Sequence, residues 1–105
     1  MKRQRLPERR GSISFDLEVS GLRYTATVSR FADGRIGEIF LNNGKINSQA
    51  DTAARDAAIA FSFAIQHGAD PEPIRRALSR DSQGRACGPL GAALDRIATE
   101  EGGEA

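Results

Sequence analysis

The stretch SISFDLEVSGLRYTATVSRFADGRIGEIFL, Ser12 to Leu41, alternates apolar and polar side chains through most of its length. Ile13, Phe15, Leu17 and Val19 fall on one face of an extended chain, and Ser14, Asp16 and Glu18 on the other. That is the period of a half-buried strand. Ser20-Gly21 permits a tight turn, after which Leu22, Tyr24, Ala26 and Val28 repeat the pattern. Asp33-Gly34 is the strongest short hairpin signal in the chain, because both residues tolerate positive φ. IGEIFL, residues 36–41, then reads as a third strand. Three strands joined by short turns make an antiparallel meander with one apolar face.

Beyond this stretch the period changes. SQADTAARDAAIAFSFAIQHG, residues 48–68, is rich in Ala and has no Pro and no internal Gly. Ser48 and Asp51 form a capping-box-like start, and Gly68 a stop. From Ala57 to Ile65 only Ser62 is polar, which predicts a helix buried nearly all round and lying across the sheet. Asp70-Pro71 opens a second helix through EPIRRALSR, with Ile74, Ala77 and Leu78 on one face. DSQGRACG reads as a loop. A third helix begins near Pro89, with Leu90, Ala93, Leu94 and Ile97 on one stripe. The order β-β-β-α-α-α predicts a two-layer α+β domain over residues 11–99. Residues 1–10 are expected to be a disordered basic arm, and residues 100–105 an acidic disordered tail.

With 105 residues, the chain allows one small domain. A net charge of +1 favours no class of partner in bulk. The single cysteine, Cys87, excludes an intramolecular disulfide framework and a Cys-rich metal site. The start lacks the apolar run of a signal peptide, and no stretch approaches membrane-spanning length. A soluble cytoplasmic protein is expected, with no metal and no cofactor. Open sheet edges make a homodimer plausible.

NNGKINS, residues 42–48, raises the question of a phosphate loop. A P-loop needs a Gly five residues before its Gly-Lys and a Ser or Thr directly after. Here Ile46 follows Lys45, and the match fails. The expected role is a strand-to-helix turn, in which Asn42, Asn43 and Gly44 supply left-handed conformations, with a loose anion site at the helix start as the minor reading. His67 reads as a capping or packing residue in the last turn of the long helix. Cys87 precedes a helix start and has Arg85 nearby, so a reactive thiol is conceivable, but a nucleophilic role needs the lone histidine close by. Arg75, Arg76, Arg80 and Arg85 form a second basic cluster; with Lys2, Arg3, Arg5, Arg9 and Arg10 they would make a nucleic-acid patch. Asp70, Glu72 and Asp81 lie among them, which equally fits a solvated mixed-charge face.

Taken together, the Gly-x-x-Tyr strand (Gly21, Tyr24), DGR and EIF between Asp33 and Phe40, the turn of Gly44, Lys45 and Ser48, the Ala-rich helix ending in AIQHGAD, and IRRAL resemble the TSCPD domain over residues 11–80. That domain occurs near the C-terminus of adenosylcobalamin-dependent ribonucleotide reductases and in short stand-alone proteins. The resemblance implies a non-catalytic accessory or regulatory domain acting on a larger protein, with ribonucleotide reductase the suggested partner. It transfers no catalytic residue: the family's chemistry uses a thiyl radical and a redox cysteine pair, and Cys87 stands alone. The expected contact surface is the outer sheet face and the 33–48 region, with Arg35, Glu38 and Lys45 as contacts. The competing reading is a small nucleic-acid-binding or inhibitor protein of the kind mobile elements encode, acting through the arm and the Arg75–Arg85 cluster.

Overall fold

The computed structural model describes residues 12–45 and 48–101. The arm residues Lys2, Arg3, Arg5, Arg9 and Arg10 lie outside them, as do the last four residues. Three strands, β1 (Ser12–Val19), β2 (Leu22–Arg30) and β3 (Ile36–Asn43), precede three helices, α1 (Gln49–Gln66), α2 (Pro71–Ala77) and α3 (Pro89–Glu101). The sheet is an antiparallel meander in the order β1-β2-β3, as the alternation requires. Its inner face carries Val19, Tyr24, Ala26, Val28, Ile39 and Leu41 into one core with Ala54, Ala58, Phe61 and Ile65 of α1 and Leu90, Ala93, Leu94 and Ile97 of α3. The α3 stripe is the one the spacing predicts. β1 is less buried than expected: Ile13 stands 52% exposed, because the core lies toward the other end of the strand.

The two hairpins close differently. Ser20 and Gly21 both take positive φ (54° and 79°), the requirement of a two-residue turn matched to strand twist. At Asp33-Gly34 only Gly34 is left-handed, at φ 96°. The connection is longer: Gly34 N–H donates to Phe31 O (2.9 Å), and Phe31 N–H to Arg35 O (2.8 Å). Asp33 instead uses its carboxylate to accept from the Arg35 backbone and guanidinium (3.1 and 2.7 Å). The loop predicted at residues 81–88 repeats this geometry. Gly84 is left-handed, at φ 82°, and Arg80 donates to Gly84 O as Arg30 does to Gly34 O. Both segments read Arg-x-x-x-Gly-Arg.

α1 departs most from expectation. It lies beside β3, antiparallel to it, and is buried on one arc only. Ser62 Oγ accepts from Ile39 N–H (3.0 Å) and donates to Ile39 O (3.1 Å). Gln66 Nε2 donates to Gly37 O (2.9 Å), and Asp51 Oδ1 accepts from Asn43 N–H (2.8 Å). These backbone groups point off the open edge of β3. Holding this face against the strand turns Ile59 and Phe63 outward, 49% and 48% exposed, and Ala60 with them. Ser48 caps the helix by accepting from Asp51 N–H, as expected, but the Asp51 side chain serves β3.

Asn42, Asn43 and Gly44 do not take left-handed conformations; both asparagines end β3. Asn43 is buried and ties three segments: its side chain donates to Arg23 O (2.8 Å) and accepts from Lys45 N–H (2.9 Å), while its own N–H reaches Asp51. Gly68, at φ 104°, stops α1, and the Ala69 and Gly68 N–H groups return to Ala64 O and Ile65 O. α2 ends at Ala77 rather than continuing to Arg80, because Leu78 is extended to pack on the core, and Ala77 is exposed. α3 includes Glu100 and Glu101, two residues expected in the tail; Arg96 pairs with Glu100 one turn on.

Replacing Ser62 with Ala leaves one donor and one acceptor of β3 unpaired in a buried seam. At about 1–3 kcal/mol per orphaned group, the loss is expected to be about 2–4 kcal/mol in urea unfolding. Ala60→Ser, on the exposed side, is expected to cost about 0.5 kcal/mol or less. Equal effects of the two would refute the seam as the source of stability.

Candidate functional site

The residues expected to make contacts fall along one strip. Arg35 precedes β3, Glu38 is on its outer face opposite Ser29, and Lys45 follows it. Ten residues of nearly extended chain separate the ends, about 30 Å, so these side chains cannot converge on one small ligand. Arg35 is pinned at its end by Asp33 and lies over the Phe31 ring, 4.9 Å from its centre. Asp33 is held below its ordinary value by the Arg35 backbone donor first and then by its guanidinium. Lys45 is exposed.

Between these charges lies an apolar seam, of which Ile59 and Phe63 belong to the helix segment expected to be buried nearly all round. Phe40 faces outward on β3, 43% exposed, with the Arg55 guanidinium 5.3 Å from its ring centre. Arg55, Ile59 and Phe63 are successive turns of one α1 stripe. Phe63 continues to His67, with ring centres 6.4 Å apart. The seam therefore runs as Phe40, Arg55, Ile59, Phe63, His67. Two signals in the sequence point to it. Phe40 shares strand parity with Glu38 and Asn42, not with the core. Ile59 and Phe63 are out of phase with Ala54, Ala58, Phe61 and Ile65.

The arginine cluster is folded into ion pairs. Arg75 meets Glu72 (2.6 Å) and Asp95 (2.8 Å), Arg76 meets Glu72 (3.1 Å), Arg80 meets Asp95 (2.7 Å), and Arg85 meets Asp81 (3.1 Å). Asp95 of α3 thus clamps α2 and the chain after it. Arg80, and after it Arg75, hold the Asp95 carboxyl below its ordinary range against some desolvation. Hydrogen bonding to Glu72 and Asp95 pushes Arg75 up, and Asp95 does the same for Arg80. Arg75 lowers Glu72, and the Arg85 backbone donor lowers Asp81. Each of the four arginines has an acidic partner, so the cluster presents little uncompensated positive charge.

His67 closes α1, its Nδ1 2.9 Å from Phe63 O. Cys87 is exposed at the other end of the molecule, where the neighbouring Gly88 lines a groove with Ala50 and Ala53. The 18 residues of α1, about 27 Å, lie between these two ends. No Cys–His pair forms. Among the described residues no group of three His, Cys, Asp or Glu side chains is placed to hold a metal, and no helix is long and apolar enough to cross a membrane.

No family model matches the chain, and no solved structure matches it. A vitamin B12-dependent ribonucleotide reductase from Agrobacterium fabrum (strain C58 / ATCC 33970) is 34% identical to it over 67 residues. The match covers 64% of this chain and 5% of the reductase. The chain is thus related to a small part of that enzyme, and its 105 residues fall far short of the whole.

The Asp95 clamp gives stability a pH dependence of known sign. A carboxyl whose pKa is lower folded than unfolded stabilises fully above its unfolded value and loses that contribution as pH falls through the folded one. The wild type is expected to lose stability as pH falls below about 4. Asp95→Asn should be less stable near neutrality, with a deficit that shrinks by pH 2.5 in urea melts. A deficit independent of pH would show that Asp95 contributes through shape alone.

Proposed function

We propose that this chain is a non-catalytic binding module of the TSCPD type that docks on a larger protein, a ribonucleotide reductase of the B12-dependent class. The observation that carries the reading is the seam of Phe40, Ile59 and Phe63, large apolar side chains exposed together on a domain whose core is already filled from all three strands and two helices. Contiguous exposed apolar surface of this kind marks interaction sites. Its make-up, aromatic rings and Arg55 at the centre with Arg35, Glu38 and Lys45 at the margin, matches the anatomy of protein interfaces. The similarity to part of a reductase supports that enzyme as the partner. Cys87, remote from His67, has no histidine beside it to activate the thiol, which fits a role without catalysis.

The test uses the purified chain and a purified B12-dependent reductase from the same source, with binding followed by calorimetry. Phe40→Thr and Phe63→Gln are each expected to weaken binding about tenfold or more, the loss typical of a central apolar anchor. Their melting temperatures should stay near wild type, because both rings are half in water. Ile13→Thr, exposed elsewhere, should bind normally. Absence of binding to the reductase, or wild-type affinity in both phenylalanine variants, would refute the reading.

A further inference from the structure

The free edge of the sheet is β1. Ser20 and Gly21 form a two-residue turn, so Val19 and Leu22 beside it exchange both backbone hydrogen bonds. Alternation along the ladder then points the backbone groups of odd-numbered residues 13–19 at β2, and those of even-numbered residues 12–18 off the edge. The Arg96 guanidinium bears out this direction by donating to Asp16 O at 3.3 Å. Among the described residues no other hydrogen bond reaches that side of the strand. A carbonyl has two lone pairs, so Asp16 O can also accept from a further strand.

Natural sheet edges are commonly blunted by proline, lysine or a bulge. Ser12–Val19 has no proline and no lysine, and its pairing with β2 runs without a register shift. The core side of this edge lacks cover as well. Ile13 is exposed, and Phe15 and Leu17 are only half-buried although they share the face of Val19. Where α1 seals β3 with three side chains, β1 receives one long bond.

We propose that two copies of this chain join along β1, antiparallel and about a two-fold axis at Phe15, into one continuous sheet. This register sets Ser14 opposite Asp16 of the second copy, and Ser12 opposite Glu18. On the core side Ile13 packs on Leu17 of the second copy, and Phe15 on its own equivalent. An axis at Asp16 would oppose two carboxylates, and an axis at Ser14 would leave Leu17 opposite a glycine, Gly11. Charge favours a second copy over a foreign strand. Past the Val19 end of β1 lies a hollow of about 590 Å³ with Glu18, Asp81 and Asp95 on its walls against Arg85. Asp81 and Asp95 have arginine partners, but Glu18 has no ion pair among the described residues. Antiparallel pairing leads the second copy's chain, followed back from Ser12, toward this end, and the charges that precede Ser12 are Arg10 and Arg9. The proposal rests on neither the seam nor a reductase partner.

The test is self-association of the full chain, followed by sedimentation from about 1 μM to about 1 mM. The mass is expected to double across that range. Ser14→Pro removes one outward N–H and leaves the ladder to β2 whole. Its circular dichroism should match wild type while dimer affinity falls about tenfold or more. Ile13→Glu, at an exposed position, should weaken the dimer equally by setting a carboxylate against Leu17. Phe63→Gln, on the seam, should dimerise as wild type does. In hydrogen exchange the Ser14 and Asp16 amides should slow about tenfold or more from the dilute to the concentrated sample. A chain that stays monomeric at the top of the range would overturn the proposal. So would a dimer of wild-type strength in both β1 variants, one that leaves the two amides unprotected, or one lost in Phe63→Gln.

Discussion

One side chain, Ser62, closes both backbone groups of Ile39 on the open edge of β3, and the placement of α1 depends on it. A three-stranded meander has two edges, each a row of unpaired N–H and C=O groups. Here α1 serves as a fourth element beside β3, not through a backbone ladder but through three polar side chains spaced along its length. Asp51 takes Asn43, Ser62 takes Ile39, and Gln66 takes Gly37. All three are buried: Asp51 is 2% exposed, Ser62 7% and Gln66 3%. Polar groups at that depth are stabilising only when paired, and the edge supplies the partners.

That constraint fixes the rotation of α1. With Asp51, Ser62 and Gln66 on the strand, Ala54, Ala58, Phe61 and Ile65 must face the core. Ile59 and Phe63 are then forced outward beside Phe40, and Ala53 and Ala57 toward α3. The exposed seam and the groove are therefore both consequences of one helix orientation. On the far edge the arrangement is lighter. Arg96 of α3 stacks on Phe15 at 4.5 Å and donates to Asp16 O at 3.3 Å.

How much of this the sequence revealed follows from how local each signal is. Strand alternation, the Ser20-Gly21 turn, the Asp70 cap, the stop at Gly68 and the α3 stripe involve neighbours along the chain, and all are legible. The helix from Ala57 to Ile65 misled because composition and phase disagree there: the segment is apolar enough to be surrounded, but its single serine marks the face that meets a strand. Asp51 has the sequence-local spacing of half a capping box, but its side chain is used eight residues back, on Asn43. The arginine cluster reads as basic because its partner, Asp95, comes 15 and 20 residues later and joins only when α3 folds onto α2. Of the residues expected to make contacts, Arg35 and Lys45 are exposed, whereas Glu38 is half-buried. Their spread along β3, and the apolar seam among them, were not legible.

The same edge chemistry bears on how the domain can associate. Because α1 already occupies β3, a partner cannot join the sheet there by adding a strand, the route an open meander would otherwise offer. Association on that side has to run through side chains, among which Phe40, Ile59 and Phe63 are exposed. Strand addition is tolerant of sequence, since every chain carries the same backbone donors and acceptors. A contact made by three apolar side chains and flanking charges is selective, because each must find a shaped and charged complement. Sealing β3 with polar side chains therefore closes that edge to strand addition, while the rotation it imposes on α1 brings Ile59 and Phe63 to the surface beside Phe40.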